Sequence, residues 1–464
     1  MGEAPLDLSS PRRIHITNVG GAGMSAVAVL LAQMGHDVTG HDPSTTSPFL
    51  IRLRELGIPV ASGTDPSFGP GVDAVVVSTA TPADHPDVVA ARAAEVPVVH
   101  RAGALAAICG MRQVAAVAGT HGKTTTSALL ATLLHGAGTD PGWVVGARVG
   151  GLGASADWGG GGPLVVEADE SDGTFLALGA HAAIVTNVEP DHLEHWGGEA
   201  ALRQGFTDFV AALPGPAVLC LDDPGAAALV AAARQPCTYG TTAGADYEIA
   251  DVEVAGTGVR FTLRHGGEAV EVAVPAAPGL HNARNAAAAL ALAHQLGVSL
   301  ADGAAALLGF RGVARRFEVR GEVAGVVFVD SYDHLPTEIS AALAAARAGG
   351  WRRVVCCFQP HRYSRTAALW RSFAHAFVDA DRLVVTDVYA AGEDPRAGVS
   401  GKLIVDAVLE AHPWKEVAWI PSLADVTTYL AGVLRSGDLC LTLGAGDLTE
   451  VPDRVMARLA ERER

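Results

Sequence analysis

The stretch VAGTHGKTTT, Val117 to Thr126, constrains the architecture more than any other segment of this chain. Apolar residues Val114 to Val117 precede it, a glycine-bearing turn holds Lys123, and an apolar helical pattern, TTTSALLATLLHGAG, follows. Strand, glycine loop and helix in that order make a phosphate cradle within an α/β fold. The glycines let backbone N–H groups approach phosphate oxygens and the helix N-terminus adds partial positive charge. The lysine neutralises β/γ oxygens, and the next threonine ligates Mg2+. The spacing is a compressed form of G-x-x-x-x-G-K-[ST], because Gly119 stands only three residues before Gly122. Lys123 is also one of three lysines, with Lys402 and Lys415, among 33 basic residues, which marks it as a chemical rather than a solvating charge.

At 464 residues the chain has room for two to four domains, each with its own core. A hydrophobic fraction of 49% against 18% charged residues makes it globular. The net charge of −17 argues against nucleic acid and anionic membrane surfaces as partners, and leaves small anions and metal. The N-terminus MGEAPLDLSSPRR matches neither a signal peptide nor the myristoylation pattern, since Leu6 stands where Ser or Thr is required. No apolar run approaches 18 residues. The six cysteines are scattered, without the C-x-x-C spacing of a structural zinc site, as suits a reducing cytoplasm.

Three blocks follow one another. RIHITNVGGAGMSAVAVLLAQMGHDVTGHD reads as strand (Ile14 to Thr17), glycine turn (Gly20, Gly21, Gly23), helix, and second strand ending in Asp42. That is a dinucleotide-type βαβ unit, in which a pyrophosphate sits on the helix N-terminus and the acid contacts a ribose. In the second block, PLVVEADESDGTF and AAIVTNVEPDHLEHWGG are apolar strands running into acids or His, so their polar residues stand at the carboxyl ends of parallel strands, where open α/β sheets bind ligands. The pieces from Asp246 to Val274 read as an antiparallel insert, and GLHNARN opens a helix. The third block alternates VVFVD, RRVVCCF, DRLVVTDVY and GDLCLTLGAG with helical stretches, a further open parallel sheet. The expected fold is therefore α/β with three domains: Rossmann-like 1–108, a central P-loop mononucleotide-binding domain 109–312, and a Rossmann-like open sheet 313–464. Mg2+ takes carboxylates, water and phosphate oxygens, so Thr124, Glu170 and His192 are the candidate ligands, with Asp169, Asp172 and Asp191 as bystanders or supporting groups.

GTHGKTT, EADESD, TNVEPDHL, GLHNARN, RRF, FQPHRYSRT and VYAAGEDP occur in this order over the whole chain, and together they resemble the Mur ligase family. The resemblance implies one domain each for a UDP-sugar, ATP and an amino acid. It implies a ligase that activates a carboxylate as an acyl phosphate and then forms an amide. Within the family, the resemblance is to the branch joining L-alanine to UDP-N-acetylmuramate in cytoplasmic peptidoglycan synthesis. It implies ATP and Mg2+ as cofactors, small-molecule partners only, and a monomer or homodimer. It implies ATP contacts from Gly119, Thr120, His121, Gly122, Lys123, Thr124 and Thr125, with His281, Asn282 and Asn285 at the adenine and Asp330 also on the nucleotide. Lys123, Glu170, His192 and Arg316 would be catalytic. Gly20, Gly21, Ala22, Gly23, Met24, Ser25 and Asp42 would take the UDP-substrate. Tyr332, His334, Arg362 and Arg365 would take the amino acid, the arginines as a bidentate clamp on its carboxylate. Some relatives hold a second Mg2+ with a carbamylated lysine, but between about residues 108 and 312 the only lysine is Lys123.

Three positions depart from the family pattern. Asn18 replaces the first glycine of the N-terminal turn, DSYDHLPTE (Asp330 to Glu338) replaces an acid-Tyr-His-His motif, and Gly103 stands where an acid is common. These keep a second expectation open, the same ATP-dependent chemistry on another acid or amine in a specialised pathway. A third, a dehydrogenase or a non-catalytic nucleotide binder built on GGAGMS, is opposed by the Lys123, Glu170, His192 set.

Overall fold

The structure, a computed structural model, describes residues 6–63, 66–191 and 193–462. Three open sheets follow one another along the chain, as the alternating α/β pattern predicts. The first has five parallel strands in the order Val60–Ala61, Asp37–His41, Arg13–Thr17, Ala74–Val77, Val98–His100. Its order reverses between Arg13–Thr17 and Ala74–Val77, the switch point beside which helix Ala22–Gln33 begins. That helix buries every residue from Met24 to Leu31.

The second sheet has ten strands. In spatial order they are Glu268–Val274, Gly258–His265, Tyr247–Ala255, Pro236–Gly240, Ala217–Cys220, Ala182–Val185, Val114–Ala118, Leu164–Glu167, Gly142–Val144 and Ala156–Asp157. From Pro236–Gly240 to Gly142–Val144 all neighbours are parallel, and Ala156–Asp157 is antiparallel. Val114–Ala118 lies inside this run and is buried at all five positions, as a strand covered on both faces must be. The three strands from Tyr247 to Val274 are joined by two-residue turns, Gly256-Thr257 and Gly266-Gly267, which make consecutive strands antiparallel.

The third sheet runs Glu318–Val323, Val326–Ser331, Asp438–Leu443, Arg353–Phe358, Arg382–Val385, Glu416–Trp419, with only the first strand antiparallel. Apolar clusters form against both of its faces, one around Ile339, Leu343 and Phe377, the other around Val426, Leu430 and Val455. By compactness the chain divides into two units. One comprises residues up to Ile249 with Leu263–Val270 and Arg284–Gly309, the other Ala250–Thr262, Glu271–Ala283 and the chain from Phe310. No helix among the described residues is long and apolar enough to cross a membrane.

One carboxylate fastens strand ends of the central sheet. Asp222, just beyond Ala217–Cys220, accepts from the backbone N–H groups of Thr241 and Thr242 at 2.9 and 2.8 Å, from both their hydroxyls, and from Arg284 Nε at 2.6 Å. Burial opposes its ionisation, but these donors outweigh burial and hold its pKa well below the ordinary 3.8. Asp222→Ala is expected to cost about 3 kcal/mol by stranding Arg284 and two backbone donors. The contribution is full above about pH 4 and is lost as the pH falls through the depressed folded value. Urea midpoints of both proteins, taken from pH 7 down to pH 3, should therefore converge on acidification.

Candidate active site

The phosphate cradle is shaped by two left-handed glycines. Gly119 has φ 129° and Gly122, the cap of helix Lys123–Gly136, has φ 82°. A Cβ on Gly119 would overlap Thr186 Oγ1, and one on Gly122 would lie 2.8 Å from Asn285 Oδ1. The loop is laced to the segment after strand Ala182–Val185. Thr120 N donates to Asn187 O at 3.1 Å, His121 N to Asn187 Oδ1 at 2.8 Å, and Glu189 N to Thr120 Oγ1 at 2.9 Å. Thr186 Oγ1 donates to His121 O at 2.6 Å, and His121 Nε2 lies 3.3 Å from Glu189. The TNVE motif is thus the floor of the cradle.

Lys123 Nζ donates to Gly119 O at 2.7 Å, Thr120 O at 3.2 Å, and both carboxylate oxygens of Glu170 at 3.0 and 2.7 Å. Glu170 is 1% exposed, and burial pushes its pKa up while the Lys123 ammonium pulls it back. Trp196 Nε1 fixes the Glu170 backbone carbonyl at 3.0 Å. Thr124 is placed differently from the sequence expectation. Its hydroxyl donates to Glu167 Oε1 at 2.8 Å, and Glu167 Oε2 accepts from Gly146 N at 2.6 Å. Glu170, expected beside Thr124, instead faces Lys123. Glu167 was passed over although it is the last residue of strand Leu164–Glu167, a position aimed at the ligand edge of the sheet. Thr125 follows in the first helical turn, half-buried. His192 lies outside the described residues. Asp169 and Asp172 turn back on their own loop, accepting from Ser171 N and Thr174 N, and Asp172 also faces Arg101 at 3.5 Å.

At the N-terminal turn, Asp42 Oδ2 accepts from Gly20 N at 2.7 Å and Oδ1 from Ser44 N at 2.9 Å, so this acid closes the glycine turn. Gly21 caps helix Ala22–Gln33, Gly23 abuts Arg101, Met24 is buried, and Ser25 Oγ donates to Ala22 O. Asn18 has φ 51°, a conformation that Asn tolerates nearly as Gly does, and its amide donates to Thr81 Oγ1. That departure is answered by local backbone conformation.

In the second unit, Asp330 is buried and accepts from Thr442 and Thr449 hydroxyls at 2.7 Å each, with Arg315 Nε at 3.4 Å. Ser331 Oγ accepts from Phe317 N and donates to Asp333 at 2.7 Å, and Asp333 in turn lies 4.0 Å from Arg316. Arg315 and Arg316 both stack over the Tyr332 ring, at 4.9 and 5.3 Å. Tyr332, His334 and His361 form a chain of edge-on rings, His361 also stacks on Tyr389, and Arg365 meets His361 Nδ1 at 3.1 Å. Burial lowers the pKa of His334, and burial plus the facing His334, Arg365 and Arg362 takes His361 down to about 4. Both are therefore neutral at pH 7. Arg362 holds φ 66° and its N–H bonds Tyr389 O. The structure thus brings Tyr332, His334, Arg316 and Arg365 together and adds His361. Asn282 donates to Pro278 O at 2.7 Å, and a Cβ on Gly279 would press on the His281 ring.

Because Gly119 combines a left-handed backbone with no room for a Cβ, Gly119→Ala is expected to lower stability by about 3 kcal/mol and to abolish nucleotide binding. Thermal melts with and without nucleotide would register both effects.

Comparison with known proteins gives the family. Residues 13–113 match the Mur ligase family catalytic domain, 162–293 the Mur ligase middle domain, and 315–446 the Mur ligase glutamate ligase domain. The chain is 47% identical to a UDP-N-acetylmuramate–L-alanine ligase of Kineococcus radiotolerans over 97% of each protein. It is 44% identical to the like-named enzyme of Anaeromyxobacter dehalogenans over 97% of this chain and 98% of the relative. The crystal structure of the UDP-N-acetylmuramate–alanine ligase MurC from Thermotoga maritima superposes with a TM-score of 0.82 at 28% identity, covering 98% of this chain and all of that one. With three matched domains in sequence and relatives similar over nearly their full length, the chain belongs to the Mur ligase family of ATP-dependent ligases.

Proposed function

We propose that this ligase joins L-alanine to UDP-N-acetylmuramate, forming UDP-N-acetylmuramoyl-L-alanine, ADP and phosphate, as a cytoplasmic step of peptidoglycan synthesis. The observation that carries this reading is the similarity, over nearly the whole chain, to enzymes named for that reaction. We assign residues 1–108 to the UDP-sugar, 109–312 to ATP and 313–464 to the amino acid. The departures at Asn18 and Ser331 are each engaged within the chain, by a left-handed turn and by bonds to Phe317 and Asp333, so neither calls for a different substrate.

A carboxylate is a poor electrophile until one of its oxygens becomes a leaving group. Its oxygen attacks the γ-phosphorus and ADP departs; the amine nitrogen then attacks the acyl carbon, phosphate leaves, and the ammonium proton is lost to solvent. Phosphoryl transfer depends on positioning and charge neutralisation more than on covalent help from the protein. Lys123 supplies a mobile cation on the cradle, with the loop from Gly119 to Thr125 assigned to the β/γ-phosphates through those N–H groups that Asn187 leaves open. Thr124 Oγ1 and the Glu167 carboxylate are hard oxygen donors in contact at 2.8 Å and fit Mg2+, with Glu170 and His192 as further members of the set. The ion would neutralise phosphate charge during transfer. Asn285, beside Gly122, with His281 and Asn282 on the same helix start, is assigned to the adenine, and Asp330 and Arg316 to the nucleotide from the third domain. Arg362 and Arg365 are assigned to the amino-acid carboxylate, with Tyr332 and His334 beside them. Gly20 to Ser25 and Asp42 are assigned to the UDP group. An oxygen-only pair also leaves the chain independent of a carbamylated lysine.

Phosphate release from ATP and Mg2+ should require both UDP-N-acetylmuramate and L-alanine, and mass spectrometry should find the alanyl adduct. Turnover with another acid or amine, and none with this pair, would overturn the assignment. Lys123→Ala should be silent yet folded, because the buried Glu170, its pKa already raised, can take a proton once the ammonium is gone. Glu167→Gln is expected to lower kcat about 100-fold and to raise the Mg2+ concentration for half-maximal rate, read from Mg2+ titrations.

A further inference from the structure

Three side chains to which no role is assigned above converge at the edge of the first sheet. His41 ends strand Asp37–His41, His85 caps helix Pro86–Ala93, and Asp87 lies in that helix's first turn. One ligand atom from each lies within 4.8 Å of the other two. His85 Nδ1 is 3.8 Å and His41 Nδ1 4.0 Å from Asp87 Oδ2. His41 is 5% exposed and Asp87 is fully buried.

The protons do not suffice to link these groups. His41 Nε2 donates to Gly63 O at 2.7 Å, since a carbonyl only accepts. Its Nδ1 lone pair is left buried, aimed at the cluster, and without a hydrogen-bond partner. His85 Nδ1, 3.8 Å from Asp87 Oδ2, spends its lone pair on the Asp87 N–H at 3.3 Å, a long cap bond that an ion would have to displace. Asp87 is bonded by His15 Nε2 at 3.3 Å and by the Ser67 N–H at 2.7 Å. One unpartnered imidazole nitrogen, a second in a long cap bond and a carboxylate therefore lie together in a largely buried cluster, a set that a cation would complete.

We propose that His41, His85 and Asp87 bind a divalent transition-metal ion of the Zn2+ type. Two imidazoles and one carboxylate favour Zn2+ over Mg2+, which prefers oxygen. Bonds of about 2.0–2.2 Å need donor separations of about 3.4 Å, within small side-chain rotations of those present. The fourth position takes water. His15 acts from behind: its Nε2 lies 3.3 Å from Asp87 Oδ2 and its Nδ1 2.9 Å from Thr39 Oγ1, while Ser67 N fixes Asp87 Oδ1 at 2.7 Å, which orients the carboxylate. The ion would tie the end of strand Asp37–His41 to helix Pro86–Ala93, next to the Asp42 that closes the Gly20 turn.

The test uses full-length, tag-free protein stripped with chelator and titrated with Co2+, whose d–d absorption is intense only in a tetrahedral site. One equivalent is expected to bind, to be displaced by Zn2+ and not by millimolar Mg2+, and to raise the thermal midpoint. His41→Ser and His85→Asn should each weaken binding at least about tenfold. The second variant keeps a good helix cap and decides the matter if the first is unstable. No tetrahedral band at stoichiometric Co2+, or a band that persists unchanged in His85→Asn, would overturn the proposal.

Discussion

The ammonium of Lys123 is the group around which the rest of the central domain is arranged. Four oxygens hold it, two of them backbone carbonyls of the cradle that it serves and two the carboxylate of Glu170. Removing either partner of so enclosed a pair costs about 3–5 kcal/mol when the survivor stays charged. Glu170 avoids that cost because burial already favours its neutral form. On the proposed function, the pair would hold the ammonium until a phosphate takes it, and the carboxylate would then take a proton.

What positions the lysine is backbone conformation, and that in turn depends on absent side chains. The loop makes its turn with Gly119 and Gly122, and at both positions neighbouring atoms occupy the place of a Cβ. Thr186, Asn187 and Glu189 bond His121 O, His121 N and Thr120 Oγ1 of the loop and hold it in place. Helix Lys123–Gly136 then buries Ser127 to Leu134 and leaves its N-terminus at the sheet edge. Sequence, backbone conformation and packing agree at this one place, and the proposed function puts the chemistry there.

The three-sheet α/β architecture was legible because apolar strands in this chain end abruptly in glycine, acid or His, and those endings mark the ligand edge. The identity of the individual acids was not. EADESD offers Glu167, Asp169, Glu170 and Asp172 within six residues, and periodicity alone gives no reason to pair Thr124 with the first and Lys123 with the third. Strand pairing decides it: Val117 stands opposite Glu167, which sets Glu167 beside the cradle, while Glu170 returns from the following turn to reach the ammonium. His361 was missed in its role for a similar reason, since its ring stack with His334 and Tyr389 joins separate strand ends. The cluster of His41, His85 and Asp87 has no spacing signature at all.

Four carboxylates of the first unit differ in what donates to them. Asp222 is surrounded by N–H and O–H donors and one guanidinium, so it is saturated and structural. Glu170 has a single cation as its chief partner and can exchange it. Glu167 accepts one hydroxyl and one backbone N–H, which leaves lone pairs facing the cradle. Asp87 is bonded to His15 and Ser67 and lies 4.0 and 3.8 Å from the Nδ1 atoms of His41 and His85, of which His41 Nδ1 has no hydrogen-bond partner. A carboxylate facing acceptors is stable in a protein interior only if something positive stands between them, a proton or a metal ion. The distances here, near 4 Å, are too long for a shared proton and suit an ion.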